Sequence, residues 1–344
     1  MITGSFTALI TPFQNNTVDY DGLDKLVDFQ IQNGISGILA VGTTGESPTL
    51  TWDEHNRVIE KIAQKTRGKC ICIAGTGSNN TAEALAATER AANEGVDAVL
   101  LVDPYYNGPS SLEIRREYIE PIARAFPELD VIPYIIPGRT GAQMFPEDLA
   151  ILFKTCKNVR TVKEATGNIE NMRKTRKCCG PDFSILSGDD GLTVQMMRDS
   201  EIKAEGVISV ISNIVPKAVS EMVKRLNNGD TDGAEEINSA LDPLYNLITV
   251  KTKETTAYGE VEVRARNPLA IKTLMSILGL PSGACRKPLG RMTQKGFNYV
   301  LETTRKVQKK TPEILRPAAE FFNLDFEARL NSATRLKGLT YPTY

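Results

Sequence analysis

The sequence has little of what several classes of active site require. It contains one histidine, His55, and no G-x-S-x-G motif, which argues against a Ser-His-Asp hydrolase of the nucleophile-elbow type. Its six cysteines are scattered and form no C-x-x-C pairs, so we expect no zinc or other metal site. We expect these cysteines to be reduced thiols in a cytoplasmic protein.

Long apolar runs and an excess of charge are also missing. No stretch approaches the roughly 20 apolar residues that a membrane span needs. Lysine and arginine total 41 and aspartate and glutamate total 42, so the formal net charge is −1. A near-neutral chain has no overall field that attracts nucleic acid or an anionic membrane, and we expect neither as a partner. The opening residues, MITGSFTALITPF, lack the basic start and the cleavage site of a signal peptide.

The chain does contain a repeated alternation of short apolar runs with amphipathic segments. Eight runs start about 29 residues apart, the length of one strand plus one crossover helix. Between them, apolar residues recur three and four apart, as at Leu23, Leu26 and Val27. Eight such units predict a closed (β/α)8 TIM barrel, with an open doubly wound sheet as the alternative. The runs are SFTALIT (5–11), GILAV (37–41), CICIAG (70–75), DAVLLVD (97–103), VIPYII (131–136), VRTVK (159–163), FSILSG (183–188) and GVISVI (206–211).

The strand signals stop near residue 225. We therefore predict a catalytic barrel over 1–225, a helical region over 226–310 and a C-terminal extension over 311–344. Within the helical region, the polar and poorly periodic segment 249–266 is predicted to be a surface excursion. The extension is predicted to be helical to about Lys337 and extended after it.

Lys163 is the most informative candidate residue. It ends the apolar run VRTVK, and catalytic groups of such barrels gather at the carboxyl ends of the strands. Burial and a positive neighbour such as Arg139 would lower its pKa and produce a neutral amine that attacks a ketone to form a Schiff base. Alternatively, the side chain extends to solvent or pairs with Glu164.

Other residues at the strand ends also permit two interpretations. GTTGES (42–47) is either a plain turn or a set of backbone N–H groups that bind a small carboxylate. Tyr105, Tyr106 and Tyr134 are either ordinary aromatics at the rim or proton donors and acceptors. Arg139 either forms a surface ion pair or binds a carboxylate through two parallel hydrogen bonds.

Eight motifs in this order make the chain resemble the dihydrodipicolinate synthases (4-hydroxy-tetrahydrodipicolinate synthases). This family belongs to the pyruvate-dependent class I aldolase superfamily, which includes the N-acetylneuraminate lyases. The likeness extends from residue 1 to about 305, while 249–266 is longer than usual and 306–344 passes the usual end. The motifs are GSFTALITPF, GTTGES, AGTGSN, DPYYN, PGRTG, VKEATGN, LSGDD and GVISV.

The resemblance implies a reaction. Lys163 would form a Schiff base with pyruvate, and its enamine would attack L-aspartate 4-semialdehyde to give 4-hydroxy-tetrahydrodipicolinate, a precursor of diaminopimelate and lysine. No cofactor would be needed. Thr43, Tyr134 and a Tyr106 from a neighbouring subunit would relay protons, so the resemblance implies a homo-oligomer of at least two subunits, in the family a tetramer.

Substrate-binding roles follow from the same resemblance. Thr44 would hold the pyruvate carboxylate and Arg139 the carboxylate of the aldehyde. Gly188 and Ile208 would border Lys163 through main-chain groups. Because Arg139 suits an acidic aldehyde, it favours the synthase over an N-acetylneuraminate lyase-like aldolase or a hydratase, which stay open as alternatives. A non-catalytic barrel that binds a small acid is a further alternative.

A regulatory site is implied as well, because inhibited members of the family bind L-lysine at a subunit interface. Glu83 would meet the ammonium group of that lysine. Trp52 and His55 could instead merely cap and pack the helix predicted over 53–66. The matching positions are Ser47, Trp52, His55, Asn79, Glu83 and Tyr105.

Overall fold

The computed structural model describes residues 1–332 and 338–344, and a closed barrel of eight parallel strands lies at its centre. Each strand pairs with the next along the chain, and the eighth pairs with the first. The predicted (β/α)8 barrel is therefore confirmed. The strands are β1 Gly4–Ala8, β2 Gly37–Ala40, β3 Ile71–Gly75, β4 Ala98–Val102, β5 Asp130–Ile135, β6 Thr161–Glu164, β7 Ser184–Ser187 and β8 Gly206–Ser209.

Alternate residues of each strand fill the inside of the barrel. Leu100 of β4 packs in the interior cluster with Phe6 and Leu186, whereas its neighbours Val99 and Leu101 pack in the larger cluster beneath the helices. This two-residue period is a property of every strand, because successive side chains point to opposite faces. Both faces of the barrel wall are thus apolar, as the sequence runs predicted.

Helices surround the barrel and continue past it. Within the described residues, no helix has both the length and the apolar character needed to cross a bilayer. The helices are α1 Tyr20–Gln32, α2 Trp52–Thr66, α3 Thr81–Asn93, α4 Ser111–Glu113, a π-helical turn Ile114–Ile119, α5 Glu120–Ala125, α6 Pro137–Thr140, α7 Pro146–Thr155, α8 Ile169–Cys179, α9 Thr193–Arg198, α10 Pro216–Asn227, α11 Thr231–Tyr245, α12 Leu269–Leu278, α13 Gln294–Lys310, α14 Pro312–Phe321 and α15 Phe326–Asn331.

The segment 249–266 corrects one prediction. It is an antiparallel hairpin of β9 Thr249–Thr256 and β10 Gly259–Arg266, so the region after residue 225 is not purely helical. Val261, Val263 and Ala265 alternate with charged residues in β10, which is the period of a strand with one covered face. The high content of charged residues concealed that alternation in the sequence.

The C-terminal extension packs on the body of the protein. Phe321 and Phe322 lie with their ring centroids 5.2 Å from that of Phe29 on α1. The backbone of Tyr341 donates a hydrogen bond to the Met292 carbonyl at 3.0 Å. Residues 333–337, which include the predicted helix end at Lys337, lie outside the described residues.

Candidate active site

Lys163 reaches the inside of the barrel from the end of β6. It is in register with Tyr134 of β5, and its Nζ lies 4.0 Å from the centroid of the Tyr134 ring. Its side chain is only 5% exposed. The next residue, Glu164, points to the other face, where it accepts hydrogen bonds from the Thr166 backbone at 2.7 Å and from Asn171 at 3.3 Å. The alternative in which Lys163 pairs with Glu164 is therefore wrong.

Burial lowers the pKa of Lys163 from its ordinary value of 10.5 to about 7. The positive charge of Arg139 lowers it further, while the carboxylate of Asp190 opposes both effects. With a pKa of about 7, roughly half of the amines are neutral at pH 7, compared with about one in 2,500 for a free lysine. The site therefore holds a nucleophilic amine at neutral pH.

Asp190 is the nearby acid that the sequence analysis did not select. Its carboxylate accepts a short hydrogen bond from the Ser209 hydroxyl and one from the Val210 backbone at 2.8 Å. Burial raises its pKa to about 6, although these donors lower it. The acid thus moderates the pKa of Lys163 without forming an ion pair with it. Two adjacent aspartates after the seventh run, in SGDDG, were the signal for it.

A cavity of about 580 Å³ opens above Lys163 at the carboxyl ends of the strands. This is the range of ordinary small-molecule sites. A Cβ on Gly188 would lie 2.8 Å from the Ala165 side chain and 3.2 Å from Lys163 Cε, so the lack of a side chain there leaves room for the lysine. The predicted residues that border this cavity are Thr43, Thr44, Tyr134, Arg139, Lys163 and Gly188.

Three of these residues have well-defined surroundings. Burial raises the pKa of the Tyr134 phenol to about 12, so the phenol is protonated at neutral pH. The Thr44 hydroxyl accepts a hydrogen bond from the Asn267 side chain at 2.8 Å. Arg139, on the short helix α6, donates to the Asn267 carbonyl at 3.2 Å. Asn267 thus joins the two residues predicted to hold carboxylates, and it was missed in the sequence because it follows a segment that was not recognised as a strand.

Two predicted residues do not line this cavity. Ile208 is paired in register with Phe6 and packs in the interior apolar cluster of the barrel, which also contains Tyr134. Tyr106 is 91% exposed, on the loop after β4, with a φ of 78° in the left-handed region. A non-glycine residue with such a φ is uncommon. A single chain therefore does not bring Tyr106 to Lys163.

A second cavity, of about 390 Å³, adjoins the first and shares Thr43, Tyr134 and Arg139 with it. Glu83 accepts a hydrogen bond from the Ser78 hydroxyl at 2.7 Å. Burial lowers the pKa of His55 to about 4, so this imidazole is neutral at pH 7. Asn79 is exposed on the loop before α3. The other five predicted regulatory residues border this cavity, namely Ser47, Trp52, His55, Glu83 and Tyr105.

A metal site requires several ligating side chains close together. Within the described residues, no three histidine, cysteine, aspartate or glutamate side chains are grouped so that they could hold a metal ion. All six cysteines are free thiols.

A closed barrel with a buried lysine and a cavity at the carboxyl ends of its strands has the architecture of the TIM-barrel enzymes, whose active sites lie at that rim. The chain belongs to the dihydrodipicolinate synthetase family, whose family model matches residues 1–306. It is 43% identical over 291 residues to 4-hydroxy-tetrahydrodipicolinate synthase of Methanococcus maripaludis, a match that covers 85% of this chain and 93% of that relative.

Two solved structures of the same family are similar to this chain over most of its length. The 4-hydroxy-tetrahydrodipicolinate synthase of Methylacidiphilum fumariolicum SolV is 34% identical with a TM-score of 0.83, over 92% of this chain and 99% of that one. The dihydrodipicolinate synthase of Cyanidioschyzon merolae, solved with lysine bound, is 34% identical with a TM-score of 0.80, over 89% of this chain and 98% of that one.

Proposed function

We propose that this chain condenses pyruvate with L-aspartate 4-semialdehyde to give 4-hydroxy-tetrahydrodipicolinate, in diaminopimelate and lysine biosynthesis, through a Schiff base on Lys163. The observation that carries this proposal is the buried amine of Lys163, whose pKa of about 7 makes it a nucleophile at neutral pH. Family membership supports it, because the matched relatives carry the name of this activity.

The first half of the reaction builds a nucleophile from pyruvate. Lys163 Nζ attacks the C2 carbonyl, and proton transfers to the carbinolamine oxygen allow it to leave as water. The iminium then loses a C3 proton to become an enamine. The protonated phenol of Tyr134 and the hydroxyl of Thr43 border the cavity of Lys163 and are suited to these transfers.

The second half consumes the aldehyde. The enamine carbon attacks the aldehyde carbon, which becomes a hydroxyl-bearing carbon after protonation. The amino group of the former aspartate semialdehyde then attacks the iminium carbon, closes the ring and releases Lys163. In this proposal Thr44 holds the pyruvate carboxylate and Arg139 that of the aldehyde, which is supported by their position at the cavity and their hydrogen bonds to Asn267.

Tyr106 is assigned to a neighbouring subunit in this proposal. Its 91% exposure leaves it free to insert into a partner, where it would complete the relay of Thr43 and Tyr134. The active form would then be at least a dimer, and we propose a tetramer. Sedimentation tests this point, since a monomer with full activity would contradict it. The free thiols suit a cytoplasmic location.

L-Lysine is proposed as an inhibitor that binds the second cavity. Glu83 offers a carboxylate to its ammonium group, and neutral His55 adds no repulsion. Because Thr43, Tyr134 and Arg139 border both cavities, an occupant of one contacts residues of the other. The lysine-bound relative supports this. Turnover that is unchanged at saturating L-lysine would refute it, and Glu83→Gln is expected to weaken inhibition.

Borohydride reduction in the presence of pyruvate tests the central claim. We expect a stable pyruvyl adduct on Lys163, located by peptide mass spectrometry, and none in Lys163→Arg. L-Aspartate 4-semialdehyde and neutral sugar aldehydes are then tested side by side through the consumption of pyruvate, with a coupled reductase assay for the cyclised product. Preference for a sugar aldehyde would favour the N-acetylneuraminate lyase-like alternative, and absence of any adduct would favour a non-catalytic binder.

A further inference from the structure

The β9–β10 hairpin forms one wall of the catalytic cavity, and the proposed function leaves its charges without a role. Lys251, Arg264 and Arg266 border the cavity together with Arg139. Lys251 lies directly opposite Arg264 in the hairpin register. Side chains that are opposite in an antiparallel pair lie on the same face. The hairpin therefore presents a group of cations to the cavity, and all three hairpin cations are exposed to solvent.

This arrangement is unfavourable without an anion. Like charges directly opposite each other destabilise a strand pair, and Lys251 and Arg264 are such a pair. Glu262 offsets part of this charge through an ion pair with Arg264, and it also lies opposite Lys253.

Three carboxylates also border the cavity, namely those of Asp189, Asp190 and Asp242. Asp190 is already engaged by the Ser209 hydroxyl and the Val210 backbone. The charged hairpin residues that border the cavity are all cations, namely Lys251, Arg264 and Arg266.

The hairpin is fixed to the active site. At its end, Asn267 donates to Thr44 at 2.8 Å and accepts from Arg139 at 3.2 Å. Arg266 donates to the Gly138 carbonyl beside Arg139 at 3.2 Å. Asn267 Oδ1 is buried with no hydrogen-bond partner among the described residues, although Asn267 borders the cavity. The Arg266–Asn267 end of the hairpin is therefore held beside Thr44 and Arg139, and the hairpin register carries Lys251 and Arg264 from that end.

We propose that Lys251 and Arg264 form an outer carboxylate site, which captures the carboxylate of the acceptor aldehyde before it reaches Arg139. This inference rests on the proposed function. Once pyruvate is bound to Lys163, the inner end of the cavity is filled and the outer end meets the second substrate. Cations at a concave site raise the local concentration of an anion and its association rate, by roughly 10- to 1,000-fold in favourable cases.

The test compares two variants that each lose two positive charges. Lys251→Gln/Arg264→Gln removes the proposed site. Lys253→Gln/Lys295→Gln removes two exposed cations of the same region that do not border the cavity. At low ionic strength, we expect the first variant to raise KM for L-aspartate 4-semialdehyde about tenfold, with little change in kcat or in KM for pyruvate. The control should keep both KM values.

Two further measurements sharpen this result. The difference should shrink near 1 M salt, where charges are screened beyond about 3 Å. The exchange Lys251→Arg/Arg264→Lys, which retains both charges, should keep the wild-type KM. The outer site would be refuted if the test and control variants had equal KM values for the aldehyde. It would also be refuted if the rise in KM did not depend on salt concentration, or if KM for pyruvate rose equally.

The pyruvyl adduct separates this inference from the proposed function. If wild-type protein forms no adduct, the Schiff-base proposal fails. If all variants form the adduct and KM for the aldehyde is unchanged, only the outer site fails. If the double variant forms no adduct, the single variants Lys251→Gln and Arg264→Gln are used instead. Each should raise KM for the aldehyde about threefold, the square root of the tenfold effect, because independent effects add as free energies.

Discussion

Two lysines are buried among the described residues, and only one of them forms an ion pair with a carboxylate. Lys163 at the barrel mouth is 5% exposed and Lys272 on α12 is 1% exposed. Each amine lies over an aromatic ring, at 4.0 Å from the centroid of Tyr134 and 4.2 Å from that of Phe13. Lys272 Nζ forms an ion pair with Glu46 at 2.6 Å, whereas none of the described carboxylates forms one with Lys163.

The comparison shows that two buried lysines differ in whether a carboxylate opposes the effect of burial by direct contact. Burial lowers the pKa of both amines, but Glu46 opposes that effect at Lys272. Lys272 also donates to the Thr11 carbonyl at 3.0 Å, so its protons are engaged. Lys272 is a structural cation that joins α12 to the loop after β2, while none of the described carboxylates is in contact with the amine of Lys163.

The largest expected effect is on catalysis at Lys163. Lys163→Ala removes the nucleophile, and Lys163→Arg replaces it with a group that stays protonated. We expect both to lower kcat by on the order of 10⁴-fold or more, as for other essential nucleophiles. Steady-state assays measure this, with exposed Lys217→Ala as the control that keeps wild-type turnover. Normal turnover in either Lys163 variant would refute the Schiff-base mechanism.

The second prediction concerns stability. Lys272→Met leaves the buried carboxylate of Glu46 without its cation, and breaking a buried pair in this way costs about 3–5 kcal/mol of unfolding free energy. Lys163→Met should cost much less, because no buried carboxylate loses an ion-pair partner there. Urea denaturation measures both.

The double variant Glu46→Gln/Lys272→Met serves as the control for this stability difference. It should recover part of the loss, because no unpaired buried charge remains. The assignment of Lys272 as a structural cation would be wrong if Lys272→Met and Lys163→Met were equally stable.

A third prediction uses pH. Because the pKa of Lys163 is about 7, pyruvate trapping should fall about tenfold per pH unit below 7 and level off above it. The folded pKa is lower than the unfolded value of 10.5, so the folded state binds fewer protons between these values. Unfolding free energy should therefore rise with pH from about 7 to 10.5, and Lys163→Met should lose that contribution.

Asp190 provides the matched variant for this pH profile. Its carboxylate raises the pKa of Lys163, so Asp190→Asn should move the trapping profile to lower pH by about one unit or less. A profile that moves to higher pH would show that the charge of Asp190 does not act on the amine.

The smallest expected effect is at Asn267, a positioning residue. Asn267→Ala removes one hydrogen bond to Thr44, worth about 1 kcal/mol, so KM for pyruvate should rise about fivefold. Because the nucleophile is untouched, the trapping rate at saturating pyruvate should be retained. Exposed Asn298→Ala is the control. A fall in that saturated rate with no change in KM would assign Asn267 a different role.

Part of the site was predictable because its residues follow the strands directly. Lys163, Thr43 and Thr44 each stand where an apolar run ends, and the barrel brings all such ends to one rim. Asn267 and Lys251 were not predictable in this way. They lie on or beside a hairpin outside the barrel repeat, and only long-range contacts bring them to the cavity, as between Asn267 and Thr44.

The sequence by itself determined the barrel, because the apolar character of its eight runs and their regular spacing are local properties of the chain. It also determined that a lysine stands at the end of β6. Only the tertiary structure decided which buried lysine has a carboxylate in contact and which does not, because such contacts come from distant positions in the chain. Glu46 reaches Lys272 across the fold, and Arg139 and Asp190 act on Lys163 in the same way.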